Sequence, residues 1–148
     1  MGLLEALPNG SVYLDTNIWI YTLENYAAYS QELRSLFQAI DEGALAAVTS
    51  ELTLAEVLVK PAQRGDTGQQ AICERFIRTT EHLTVLPVSR DILIEAAQVR
   101  ARAQLKLPDA IHVATALKAN CITLLTNDQQ FSRVPDIAVV LLSEVVPA

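Results

Sequence analysis

Short apolar runs alternate along this chain with longer segments whose apolar positions recur at helical spacing. The runs Ser11–Leu14, Ala44–Val48, Leu83–Val88, Ile122–Leu125 and Ala138–Leu142 predict five strands. A helix is predicted from Ile18 to Tyr26. Ser30 is the expected N-cap of another that reaches Asp41, with Leu33, Leu36, Phe37 and Ile40 on one face and Gly43 after its end. Ser50 caps a helix that reaches Val59 and stops before Pro61. A polar loop, Gln63–Gly68, leads to a helix from Gln69 to Glu81. Ser89 caps a helix from Arg90 to Gln104. Pro108 opens one that runs to Asn120, apolar on most faces and so predicted to be buried. A short helical turn is expected before Arg133. Strands alternating with helices predict an α/β fold, a parallel sheet covered on both faces. A chain of 148 residues favours one domain over residues 1–148.

Composition narrows the class. Apolar residues make up 51 % of the chain, against 5 Gly and 6 Pro, which favours a folded domain over a disordered tail. No apolar run approaches the roughly 18 residues that a membrane span needs. No Lys or Arg precedes Arg34, so a signal peptide's basic start is missing. Ala6 stands where myristoylation at Gly2 would want Ser or Thr. A cytoplasmic protein is the expectation. Cys73 and Cys121 are far apart and read as reduced, buried thiols. The net charge of −6 argues against a nucleic-acid binder. Yet eight of the eleven basic residues fall between Lys60 and Lys106, so the average can conceal a basic face.

Four acids stand out by position. Asp15 ends the run Val12-Tyr13-Leu14, and Thr16 or Asn17 can cap the helix that follows. Ligands of open α/β sheets bind outside such carboxyl ends of strands. Asp128 follows the fourth strand in the same way. Glu56 lies among Leu52, Ala55 and Val59, on what reads as the apolar stripe of its helix, where an ionised side chain is costly unless paired or metal-bound. Asp109 is in the first turn of the buried helix, where helix N–H groups alone could account for it. Asp15 and Asp128 also have local readings as turn or cap residues. Together the four are harder to explain singly, and clustered carboxylates repel unless a cation joins them. No Lys or Arg is adjacent to any of them. A hard divalent cation suits all-oxygen ligands, and metal-assisted phosphodiester hydrolysis fits that chemistry.

The segments Val12–Tyr21, Leu54–Val57, Leu107–Leu117 and Leu124–Phe131 together resemble a PIN-domain ribonuclease, and within that family a toxin of the VapC type. The set spans nearly the whole chain in order and spacing. The resemblance implies a three-layer α/β/α sandwich with a parallel sheet of order 3-2-1-4-5, bringing Asp15 and Asp128 together. It implies that Asp15, Glu56, Asp109 and Asp128 are catalytic and bind Mg²⁺ or Mn²⁺, with Asn17 and Thr126 as their polar neighbours. It also implies an RNA substrate cut to a 3′-hydroxyl and a 5′-phosphate, a homodimer, and a cognate antitoxin that inserts a segment into the site.

Other readings compete. A haloacid-dehalogenase-type phosphatase wants Asp-x-Asp after strand one, and here the third position is Asn17. A phosphorelay receiver wants an acidic pair there and a Lys after strand five. A PIN nuclease of RNA processing that is no toxin is a further alternative, as is a catalytically silent binding module, against which a costly Glu56 on an apolar stripe speaks. Among other candidates, His112 reads as a packed, hydrogen-bonded residue rather than a ligand. Trp19 reads as core or dimer contact, although it and Tyr21 could stack on bases. Arg75/Arg78 and Arg102/Lys106 read as solvated faces.

Overall fold

Five parallel strands lie in the order β3-β2-β1-β4-β5: β1 (Val12–Leu14), β2 (Ala47–Ser50), β3 (Leu83–Leu86), β4 (Thr123–Thr126) and β5 (Ala138–Leu141). The structure, a computed structural model, describes residues 2–146. The helices are α1 (Leu3–Ala6), α2 (Thr16–Leu23), α3 (Ser30–Asp41), α4 (Glu51–Gln63), α5 (Thr67–Phe76), α6 (Arg90–Ala103), α7 (Leu107–Lys118) and α8 (Leu142–Val145), with a 3₁₀ turn at Gln129–Arg133. The order predicted for the sheet is the order found.

Alternation along the strands divides the core into two layers. Val12, Leu14 and Leu125 point to one face, where Ile18, Trp19, Leu33, Leu36 and Ile77 pack. Tyr13 and Leu124 point to the other, against Ala96, Val99, Val113 and Ala114 of α6 and α7. Trp19 is fully buried and meets Phe37 and Phe76 with ring centroids 5.0 and 5.1 Å away. It is a core residue of the chain itself. Leu14 pairs with Leu125, and the Asp15 N–H then donates to the Leu125 carbonyl at 3.0 Å. The first aspartate is thereby fixed against the end of β4.

Several boundaries differ from expectation. The cap of α2 is Asp15 itself, whose Oδ1 accepts from the Thr16 N–H at 2.8 Å. Helix α4 continues through Pro61, which is buried. Near the helix end, burial of the ring offsets both the missing N–H bond and the ring's clash with the carbonyl four residues back. The expected polar loop is shorter, because Asp66 Oδ1 accepts from the Gln69 N–H and starts α5 at Thr67. That helix ends at Phe76 rather than Glu81. Ser30 begins α3 but does not cap it, Tyr29 taking the cap position without a side-chain bond. The short helices α1 and α8 were not expected. Among the described residues no helix is long and apolar enough to cross a membrane.

Candidate active site

Each acid reaches the carboxyl end of the sheet by a different route. Asp15 caps α2 directly after β1 and is 5 % exposed. Asp128 caps the 3₁₀ turn after β4, its Oδ1 accepting from the Gln130 N–H at 2.9 Å. Asp109 is in the first turn of α7. Glu56 comes from α4, but not from the stripe expected of it. The buried face of α4 is formed by Thr53, Val57 and Pro61, while Ala55 and Val59 are exposed. Thr53 can be buried because its hydroxyl bonds Thr49 Oγ1 at 2.8 Å. Glu56 lies at the border of that face, with 35 % of its side chain exposed, so its carboxylate can reach both protein and solvent.

Two threonines hold the acids. The Thr126 hydroxyl donates to Asp15 Oδ2 at 2.7 Å and accepts from the Asp128 N–H at 3.0 Å. One hydroxyl thus positions both strand-end aspartates. Asn17 Nδ2 donates to the same oxygen at 3.4 Å, and Asn17 Oδ1 accepts from the Asn127 N–H at 3.3 Å. Thr16 does more than open α2: its hydroxyl donates to Glu56 Oε1 at 2.6 Å.

His112, one turn after Asp109, is 1 % exposed. It is buried as expected, but its partners are the acids of the cluster. Nε2 lies 2.7 Å from Glu56 Oε1, 3.1 Å from Thr16 Oγ1 and 3.8 Å from Asp15 Oδ1. The Tyr13 hydroxyl is 2.6 Å from Nδ1. Sequence reasoning assigned His112, Thr16 and Tyr13 no part in the site. The spacing of His112 from Asp109 was the one available signal.

The electrostatics follow from these contacts. Burial raises the Asp109 carboxyl, and the charges of Asp15 and Asp128 push it further, to about 6. An acid in the first turn of a helix would be lowered by the dipole alone, so burial and repulsion prevail here. Burial also raises Asp15, against His112 and the hydrogen bonds of Thr126 and Thr16. Partial burial acts to raise Glu56, but the bonds from His112 and Thr16 outweigh it, and its pKa is lowered. Burial acts to lower His112; its bond to Glu56 and the charge of Asp15 raise it instead. Cys121 is a buried free thiol, as expected, and burial pushes it up to about 12.

Among the described residues no group of three or more His, Cys, Asp or Glu side chains is arranged to hold a metal ion. The charges of Asp15, Asp128 and Glu56 reach Asp109, but the four carboxylates do not form a closed cage. A groove of about 740 Å³ begins at Glu56 and continues between α2, α4 and α5, walled by Ile20, Leu23, Val57 and Val59 and rimmed by Lys60 and Arg64.

Solved structures share this fold. A toxin–antitoxin complex from Klebsiella pneumoniae contains a chain 26 % identical, with a TM-score of 0.66, covering 88 % of this chain and 97 % of that one. In the DNA-bound VapBC of Salmonella typhimurium the identity is 23 % and the TM-score 0.69, covering 89 % and 98 %. Mycobacterium tuberculosis VapC20, a sarcin–ricin loop cleaving toxin, is 18 % identical with a TM-score of 0.61, covering 76 % and 86 %. No curated protein matches the sequence. The PIN domain profile matches residues 12–137, from the first residue of β1 to the residue before β5, and the chain therefore belongs to the PIN domain family.

Proposed function

We propose that the chain is a Mg²⁺- or Mn²⁺-dependent endoribonuclease and the toxin of a type II toxin–antitoxin pair. The observation that carries this reading is the mutual repulsion at the site: Asp15, Asp128 and Glu56 all act to raise Asp109. Four acids from four separate elements have no structural reason to converge, since repulsion among them destabilises the fold. Their oxygens suit a hard cation. Mg²⁺ keeps several waters and takes few carboxylates directly, so carboxylates that fall short of a closed cage are compatible with it. Asp15, Glu56, Asp109 and Asp128 would hold the ion. When bound, it supplies a water of lowered pKa and stabilises the oxygen that leaves phosphorus.

The chain's own groups prepare this. Thr126 and the Thr16 N–H occupy one lone pair on each Asp15 oxygen and fix its plane. His112 and Thr16 occupy Glu56 Oε1. Glu56 is thus oriented by one oxygen and can serve through the other. Asn17 steadies Thr126.

A partner protein is supported by the 26 % identical chain from a toxin–antitoxin complex. The groove leading from Glu56 gives an inserted antitoxin segment a route to the acids. A cytoplasmic homodimer, each copy a single PIN domain over residues 1–148, completes the reading. RNA cleavage by the purified, antitoxin-free protein tests it. Cleavage should require Mg²⁺ or Mn²⁺, stop in EDTA and vanish in Asp15→Asn with the fold intact. Undiminished cleavage in EDTA or in that variant would overturn the metal mechanism. No cleavage of any RNA would leave the silent binding module. A neighbouring gene for a small DNA-binding protein separates the toxin from a nuclease of RNA processing.

A further inference from the structure

Three tyrosines close into a triangle beside the acids. The ring centroids of Tyr21, Tyr26 and Tyr29 lie 5.2, 5.2 and 5.5 Å apart. Tyr21 is six residues after Asp15 on α2, about 9 Å along the helix at its 1.5 Å rise. The triangle is fastened to the site at a second point. Asn127, between Thr126 and Asp128, donates from Nδ2 to the Tyr21 hydroxyl at 3.1 Å and to the Tyr29 hydroxyl at 3.4 Å. Its Oδ1 accepts from the Ser143 N–H at 2.9 Å, which fixes the amide. Tyr29 is 8 % exposed, whereas Tyr26 is 50 % exposed. The trio holds two rings by their hydroxyls and leaves the third open to solvent.

We propose that Tyr26, backed by Tyr21 and Tyr29, is a stacking site for an unpaired nucleobase of the RNA that the acids cut. The proposal rests on the nuclease reading. It explains how a chain of net charge −6, with four acids at its centre, can retain a polyanion. No Lys or Arg among the described residues hydrogen-bonds or ion-pairs with those acids, and Lys60, at the groove, is paired with Glu24. With Arg64 as the other cation on the groove rim, electrostatic grip beside the acids is limited. Stacking on an aromatic face needs no positive charge and tolerates any base. Only unstacked bases offer their faces, so the site selects single strands or loops over duplex. The tie through Asn127 keeps the platform in register with Thr126 and Asp128, so a base held there sets which phosphate meets the acids.

The test compares Tyr26→Ala, Tyr26→Phe and Tyr26→Trp. The readouts are Mn²⁺-dependent cleavage of a short single-stranded RNA and, in the cleavage-dead Asp15→Asn background, anisotropy of the same labelled RNA and of its duplex. Tyr26→Ala should raise KM and Kd for the single strand about fivefold or more, the low end of what losing one stacked base costs. It should leave kcat, circular dichroism and the salt dependence of binding unchanged. Phe and Trp should keep wild-type affinity. Wild-type KM in Tyr26→Ala, while the wild-type protein cleaves RNA, would overturn the stacking site alone. So would an equal loss on duplex, or a change of oligomeric state by light scattering with KM unaltered. A wild-type protein that neither binds nor cleaves RNA would overturn the nuclease reading itself.

Discussion

His112 and Glu56 are joined by a 2.7 Å hydrogen bond between α7 and α4, across 56 residues of sequence. The imidazole is held in turn by Tyr13, from the centre of the sheet, at 2.6 Å. A carboxylate at the edge of its helix is thereby tied to the rigid middle of the fold. Replacing His112 by Ala should free Glu56 and leave the Tyr13 hydroxyl buried without its partner. We expect a loss of about 2 kcal/mol in urea unfolding. Cleavage should fall through kcat rather than KM, since the RNA need not touch either residue.

The same pair fixes a pH dependence for the metal-free protein. Glu56 is lowered, so its contribution is present above its ordinary 4.5 and is lost as pH falls through the lowered value. His112 is raised, so its contribution is full below its ordinary 6.5 and is lost as pH rises through the raised value. Both are present together between 4.5 and 6.5. The stability gap between wild type and His112→Ala should be widest there and narrow on either side, as thermal melts across pH will show.

Thr126 offers a cleaner substitution, because Thr126→Val keeps its shape. The change removes the donor to Asp15 Oδ2 and the acceptor for the Asp128 N–H. It should cost about 1.5–3 kcal/mol, the worth of a hydrogen bond to a charged group. Activity should fall as well, and Thr126→Ser should restore most of both. Equal activity in the Val variant would mean that Asp15 is held without Thr126, by its bond from the Thr16 N–H.

Much of this was legible before the structure, for local reasons. Asp15 and Asp128 end apolar runs, and a strand's end is a property of a few neighbouring residues. The sheet order needed more, and came through the resemblance to a family. What misled was tertiary. Val59 looked like core and is exposed, while Thr53 looked polar and is buried, because Thr49 on β2 supplies its partner. Pro61 looked like a stop, yet the helix passes it. The role of His112 was illegible because its partners lie 56 and 99 residues away. Periodicity shows that a side chain is buried, but not what it is buried against.

Trp19 tests the core directly. Its ring meets Phe37 and Phe76, and its indole N–H donates to the Leu14 carbonyl at 3.3 Å, one residue before Asp15. Trp19→Ala should cost about 3–5 kcal/mol in denaturant unfolding. If Trp19 instead mainly joined two copies, the variant would lose the dimer at low cost to the folded chain, which sedimentation would reveal.

Asp109 carries the last prediction, because proton and cation compete for it. Its pKa of about 6 lies above its ordinary 3.8, so the protonated form suits the metal-free fold. Its favourable contribution is complete below 3.8 and is lost as pH rises through about 6. Above that, the ionised carboxylate faces the charges of Asp15 and Asp128, which His112 only partly offsets. Asp109→Asn should therefore melt higher than wild type at pH 8 without metal, and no higher at pH 4. Adding Mn²⁺ should invert the order at pH 8, since an ion that binds only the native state stabilises it by mass action. The wild-type gain should shrink as pH falls through 6, where a proton takes the ion's place. The Asn variant should gain little at any pH. An equal Mn²⁺ shift in both proteins at pH 8 would show that the cation binds elsewhere and that the repulsion at Asp109 serves no ion.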